Sequence, residues 1–233
     1  MIARRHGWAV SAAFVAALLF VLGTGPCWAE SSVNPGINRH YQSPDPERWK
    51  AVFERPGREI WDRRYDILDA LHVKKGQVVA DVGTGTGFFA VMMAEQVGPE
   101  GRVYGVDIAP GFVDALAQRA EEQGFHNVTG IVNDARSVRL PAASVDLVYL
   151  GDTYHHFEYP ESMLASIRQA LKPTGELVIV DFRKISGQSG SWVMNHVRAN
   201  EQEVIREIEA AGFELVERSD LMRTQYFLRF RRL

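Results

Sequence analysis

The sequence predicts an α/β protein whose sheet is mostly parallel and covered by helices on both faces. Three observations predict it. From residue 77 to 181, short continuously apolar runs alternate with amphipathic stretches, the pattern of buried strands joined by crossover helices. The first run leads into a glycine loop, Gly83-Thr84-Gly85-Thr86-Gly87, at the start of a helical stretch. The next two runs lead to aspartates, Asp107 and Asp134, so acidic groups are expected at one edge of the sheet.

The chain opens on a segment of different character. Arg4 and Arg5 precede an uncharged, largely apolar run from Trp8 to Leu22, then Gly23, Gly25 and Pro26, with small residues at Cys27 and Ala29 ahead of Glu30. A basic end, a short apolar stretch and a small-residue cleavage site are the layout of a secretory signal peptide, expected over residues 1–29. The run is short for a membrane span, which needs ~20 apolar residues. Left uncut, it would hold the N-terminus in the cytoplasm and the domain outside, as a membrane anchor. A lipoprotein reading would use Cys27, but Thr24-Gly25-Pro26 is a poor lipobox, and an upstream start on a cytosolic protein is the plainer alternative. A periplasmic or secreted protein with no stable membrane insertion after cleavage is expected. Cys27 is the only cysteine, so the cleaved chain would have no disulfide, thiolate metal site or cysteine nucleophile.

Residues 30–72 read as a linker followed by a helical segment. Pro35, Gly36, Pro44 and Pro46 mark the linker, and the stretch from Glu47 to Val73 looks helical in two pieces broken at Pro56-Gly57. Ile60, Ile67, Leu68 and Leu71 fall on one face of the second piece. The alternation over residues 73–233 then predicts strands at Gln77–Val82, Arg102–Val106, Val128–Val132, Val145–Leu150 and Glu176–Asp181. Helices are expected from about Phe88 to Val97, around Phe112–Ala120, and from Pro160 through Leu171, with a turn at Lys172–Gly175. A Gly- and Ser-rich loop over 186–191 precedes a helix with Asn200 and Glu203 at capping-box spacing, stopped at Gly212. Phe213–Val216 and Tyr226–Phe230 read as closing strands, and the five arginines from Arg218 to Arg232 as the wet face of a strand.

Hydrophobic content of 46% and charged content of 24% in 233 residues describe a folded protein with a sizeable core. A net charge of −3 without a basic run leaves no electrostatic footprint for nucleic acid.

The glycine loop lets a ligand approach the backbone at a helix N-terminus. A dinucleotide fingerprint would need Gly or Ala at position 88, where this chain has Phe88, which disfavours a nicotinamide oxidoreductase. Asp107 lies about 20 residues past the loop, where a carboxylate can accept both hydroxyls of a ribose. Asp134, with the following amide of Ala135, could serve an adenine ring. Together they describe an adenosine-shaped crevice.

On these residues, with Leu140–Leu150 and Leu171–Asp181, the chain resembles the small-molecule class I S-adenosylmethionine-dependent methyltransferases, closely over about Val73–Asp181. The resemblance implies a Rossmann-like, doubly wound, seven-stranded sheet whose last strand is antiparallel. It implies S-adenosylmethionine as cofactor, with Gly83, Gly85 and Gly87 against its methionine part, Asp107 on the ribose, Asp134 and Ala135 on the adenine, and Asp81 among the cofactor-binding residues. The loop Gly151-Asp152-Thr153-Tyr154-His155-His156 then passes the methyl group and its acceptor. His155, His156 and Asp152 are the catalytic candidates, since a histidine titrating near neutrality suits removal of one acceptor proton. Packing of one histidine within the loop is the plainer account. Asp152 could in principle join them around a metal, but no metal site is expected. The lack of an Asn-Pro-Pro-aromatic motif after this strand disfavours amide and DNA-base nitrogen methylation, leaving O- or C-methylation of a small-molecule acceptor. Residues 49–64, including Arg58, Glu59 and Trp61, could cover the cofactor, although a solvated helix face explains their charges as well. His196 and Arg198 lie where the chain could border the acceptor. An exported binding protein that keeps the fold without turnover is the alternative reading, because the methyl donor is made in the cytoplasm.

Overall fold

A computed structural model describes residues 30–233, and the leader expected over 1–29 lies outside the described residues. Seven strands form one sheet in the order β3-β2-β1-β4-β5-β7-β6. They are β1 (Val78–Val82), β2 (Arg102–Asp107), β3 (Val128–Val132), β4 (Val145–Gly151), β5 (Leu171–Phe182), β6 (Phe213–Ser219) and β7 (Gln225–Arg232). Pairings from β3 through β5 are parallel, and β7 runs antiparallel to both neighbours. The expected Rossmann-like, mostly parallel sheet with one antiparallel strand is therefore the fold found.

The helices are α1 (Pro46–Phe53), α2 (Glu59–Asp62), α3 (Arg64–Ala70), α4 (Phe88–Val97), α5 (Pro110–Glu122), α6 (Pro160–Ala170), α7 (Ser191–His196) and α8 (Glu201–Ala210). Two apolar clusters cover the faces of the sheet. One joins α6 and α8 to β4, β5 and β7, and the other joins α3, α4 and α5 to β1 and β2. None of the described helices is long and apolar enough to cross a membrane.

Local chemistry accounts for the element ends. Asn200 accepts from the Glu203 N–H while the Glu203 carboxylate accepts from the Asn200 N–H, the reciprocal cap expected for α8. Pro160 sits in the first turn of α6, where its missing N–H is not needed. Gly87 caps α4 with φ +77°, and a Cβ there would overlap the Leu116 side chain of α5.

Three expectations are corrected. The helical segment before the sheet is three pieces rather than two, because the chain also breaks at Arg63. Lys172–Gly175 is not a separate turn before the strand. It is an irregularity inside β5, where Leu171 pairs with Val145 and Glu176 already pairs with Leu147. The last strand has no continuous wet face, since Gln225 to Phe230 are all buried. Arg229 is buried with them and pairs with Glu176 at 2.7 Å and Glu217 at 2.9 Å, while also donating to the Ala70 carbonyl. Two carboxylates and a carbonyl compensate one buried guanidinium.

Candidate active site

Strand order reverses between β1 and β4, and there the carboxyl ends of the parallel strands open a crevice. A cavity of about 850 Å³ lies at that edge, within the ~300–1,000 Å³ range of small-molecule sites. Its walls include Asp81, Gly83, Gly85, Asp107, Asp134, Ala135, Asp152, His155 and His156, so nearly every residue singled out in the sequence meets here. Gly87, like Trp61 and Arg198, lies outside the lining; its φ is left-handed, and a Cβ there would overlap Leu116.

At one end of the cavity, Asp107 on β2 accepts from the Gly85 N–H at 3.0 Å and the Ala109 N–H at 2.9 Å. Burial raises its pKa to about 6 against the opposing pull of these amides. Asp81, behind it on β1, accepts from the Thr84 hydroxyl at 2.8 Å and is pushed by burial to about 7. Asp134 stands at the rim with its carboxylate engaged by the Arg136 N–H at 2.8 Å and Arg139 Nε at 3.1 Å, which hold it below the ordinary carboxylate range. Its neighbour Asn133 is buried, donates to the Asp134 carbonyl, and has an Oδ1 without a partner in the protein. Tyr149 Oη is likewise buried without a partner. Both residues line the cavity, and neither was given a role from the sequence. Asn133 could have been found from its place immediately before Asp134, whereas Tyr149 reads simply as an apolar strand residue.

Residues 37–60 cover this end. Tyr41, Trp49 and Phe53 stack in succession at 4.8 and 5.1 Å, with Phe53 6.1 Å from Phe112 on α5. The linker is thus packed against the site. Glu54 accepts from Arg119 at 2.5 and 2.9 Å and from the Thr86 hydroxyl at 2.8 Å, tying α1 to α5 and the glycine loop. Arg58 bonds Asp152 at 2.8 Å and the Phe53 carbonyl at 2.8 Å. Glu59 accepts from the Arg223 and Thr224 amides, and Trp61 packs on Phe88 instead of lining the cavity. The charges of Arg58 and Glu59 therefore bind structure rather than solvent.

A second part of the lining is built from histidines, which Tyr41 of the same segment also meets, edge-on to His156 at 5.1 Å. After β4 the chain turns through Asp152, whose φ of +48° is tolerable for aspartate, into a short 3-10 turn at Tyr154–His156. Asp152 is buried and paired with Arg58. Burial raises it to about 6 while Arg58 pulls it down. Its carboxylate is an anchor for the covering segment, not a free base. His155 is held by Asp181 at the end of β5, which accepts from the backbone N–H at 3.0 Å and lies 2.7 Å from Nδ1. A donating Nδ1–H leaves Nε2 as the basic nitrogen. Burial works against charge on His155, but Asp181 and then Asp152 outweigh it and raise the pKa. His156, half-buried without such a partner, is held at about 2 by desolvation and by the neighbouring imidazoles.

His196, at the end of α7, joins this pair with ring centroids 5.2 Å from each. Trp192 stacks on it at 4.5 Å, and Phe182 meets both Trp192 and His155 edge-on. Arg198 points elsewhere, into a bidentate pair with Glu207. Asp181 is a third residue that the sequence reading passed over, and its one signal was its position at the end of an apolar strand.

The profile of a family described as "Methyltransferase domain" matches residues 73–224, more than half of the chain. The chain is 31% identical over 139 residues to the demethylmenaquinone methyltransferase of Listeria welshimeri, covering 60% of this chain and 58% of that protein. It therefore spans less than two thirds of the length of the curated relatives it matches. A solved S-adenosylmethionine-dependent methyltransferase from Aquifex aeolicus is 26% identical, with a TM-score of 0.72 over 82% of this chain and 100% of that one. A Haemonchus contortus phosphoethanolamine N-methyltransferase, solved with phosphomonomethylethanolamine and S-adenosylhomocysteine, is 25% identical, with a TM-score of 0.58 over 68% of this chain and 38% of that one.

Proposed function

This chain belongs to the methyltransferase-domain family, whose cofactor is S-adenosylmethionine, and we propose that it transfers the cofactor's methyl group to a small-molecule acceptor. The observation that carries the reading is a single cavity lined both by Asp107 and Asn133–Ala135, which suit an adenosine, and by His155. The residues present fit the cofactor. Asp107 offers acceptors for a ribose, and Asn133 Oδ1 is an unpartnered acceptor beside the place proposed for adenine. The carboxylates of Asp81 and Asp107 suit a ligand with cationic groups. When bound, S-adenosylmethionine supplies an electrophilic methyl group.

His155 then takes the acceptor's proton through Nε2, with Asp181 holding the ring and favouring its charged form. Proton removal makes O- or C-methylation the favoured chemistry. Phe157, Phe182, Trp192 and Val193 give the acceptor end apolar walls, which suit a ring-bearing acceptor. The name of the Listeria relative, a demethylmenaquinone methyltransferase, supports an acceptor of that character.

Calorimetry on residues 30–233 tests the reading. S-adenosylmethionine and S-adenosylhomocysteine should each bind one to one, and NAD should not. Binding of NAD without either sulfur compound would overturn it.

Export through residues 1–29 belongs to the same proposal, on the strength of their basic, apolar and small-residue order. Mass spectrometry of the native protein should find a chain beginning at Glu30. A cytoplasmic protein that keeps its leader would remove export from the proposal and leave methyl transfer standing.

A further inference from the structure

We propose that His155, His156 and His196 form a binding site for a divalent transition-metal ion at the acceptor end of the cavity. One ring nitrogen from each lies within 4.8 Å of the other two. The ring centroids are 4.3 Å apart for His155 and His156 and 5.2 Å from each of these to His196. His155 and His156 share one turn, but His196 arrives on a different element, so the convergence is a product of the tertiary fold.

The hydrogen bonds of the cluster favour ligation over packing. A histidine buried for packing ordinarily satisfies both ring nitrogens. Here His155 Nε2, His156 Nδ1 and His196 Nε2 are all buried without a hydrogen-bond partner in the protein. Each such nitrogen is free to bind a ligand, and the three residues line the same cavity. An ion accepts all three lone pairs at once.

Asp181 supplies the second feature of a metal site. Its 2.7 Å contact with His155 Nδ1 is the carboxylate–histidine arrangement that fixes a ligating ring and raises its basicity. Asp152, the acidic residue that the sequence puts nearest the pair, does not contribute, because its carboxylate is paired with Arg58. The donor set is therefore three nitrogens. That set suits zinc, cobalt, nickel, copper or iron rather than magnesium or calcium. Metal–nitrogen bonds of ~2.0–2.1 Å place tetrahedral ligands roughly 3.3 Å apart, so the rings would close by at most about 1.5 Å on binding.

Three protein ligands leave a coordination position open, as catalytic zinc sites do. Phe182, Trp192 and Val193 line the cavity around it. An acceptor hydroxyl ligated there would lose its proton to solvent near neutral pH. Ligation and proton acceptance use the same His155 lone pair, so His155 is the base in the ion-free protein and a ligand in the loaded one. This use of the ion rests on the methyl-transfer reading, whereas the binding itself does not.

The test is a titration of the EDTA-treated full-length protein with Co²⁺, with neither methyl donor nor acceptor present, so its outcome is independent of cofactor binding. One equivalent should produce the visible absorption of four-coordinate Co²⁺, which one equivalent of Zn²⁺ should abolish. Trp192, stacked on His196, should be quenched in step, and the quenching should be much reduced in Trp192→Phe. His196→Ala, a change on a short surface helix, should abolish the absorption, and Asp181→Asn should weaken binding ~10–100-fold. His126→Ala, at an exposed histidine away from the cavity, should leave it unchanged. No one-to-one Co²⁺ signal, or a signal that survives His196→Ala, would overturn the site.

Discussion

Asp107 and Asp181 are both carboxylates at strand ends, yet their surroundings assign them different work. Asp107 is buried against two backbone amides, so replacing it by alanine removes a ligand acceptor and frees the Gly85 and Ala109 N–H groups together. Asp107→Ala should weaken S-adenosylmethionine binding by about 1.5–3 kcal/mol, the range for a bond to a charged group, as read by calorimetry. The reading needs the carboxylate charged, and burial has raised its pKa to about 6. Affinity should therefore fall as pH drops below about 6 and be level above about 7. This limb should disappear in Asp107→Asn. Asp181 touches the site through His155 and is a positioning residue. Asp181→Asn should lower turnover ~10²–10⁴-fold, the scale of losing an acid–base contribution. Cofactor affinity should stay within about threefold, under ~0.7 kcal/mol. A matching loss of cofactor affinity would show that Asp181 only holds the fold.

Among the elements, the covering segment over residues 37–60 has the most to do with ligand entry. It is held by a few polar ties rather than by a sheet: Glu54 to Arg119 and Thr86, Arg58 to Asp152, and Glu59 to the loop before β7. The first tie carries most weight, because Arg119 is mostly buried and its Nε already lacks a partner. Glu54→Ala would leave that guanidinium with only the Thr86 carbonyl. Destabilisation of roughly 1–3 kcal/mol in urea unfolding is expected. S-adenosylmethionine should also dissociate faster, in stopped-flow measurements, because Phe53 lies against Gly85 on the segment so released. Unchanged dissociation would mean that the aromatic stack alone keeps the segment closed.

For the whole molecule, the switch point between β1 and β4 gathers three buried carboxylates, Asp81, Asp107 and Asp152, raised by burial to about 7, 6 and 6. Asp81 gives the clearest stability test. Its folded-state pKa lies above the unfolded value, so between about pH 4 and 7 the folded chain holds a proton that the unfolded chain has lost. The contribution of Asp81 to stability therefore falls as pH rises through that window. Asn at this position can still accept from Thr84 but does not titrate. The unfolding free energy of Asp81→Asn relative to the native chain should rise from about pH 4 to 7 and then level off, as measured by urea unfolding across pH. A flat difference would mean that water reaches the carboxylate.

The short-range features were legible in the sequence. A buried parallel strand must be apolar throughout, a loop with left-handed turns calls for glycine, and a capping box places its two partners three residues apart. These rules identified β1 to β4, the Gly83–Gly87 loop, Asp107 and the Asn200–Glu203 cap, because each lies within a few residues of its own cause. What only the tertiary structure decided is which distant groups meet. Asp181 reaches His155 because β5 lies beside β4, and His196 reaches the same place because α7 returns over the end of β5. Arg58 claims Asp152 because the segment before the sheet folds back over the crevice. Each pairing is set by strand order and helix packing, and neither leaves a fixed spacing along the chain. For the same reason, the orphaned nitrogens of the three histidines become visible only once every other donor and acceptor around them has been placed.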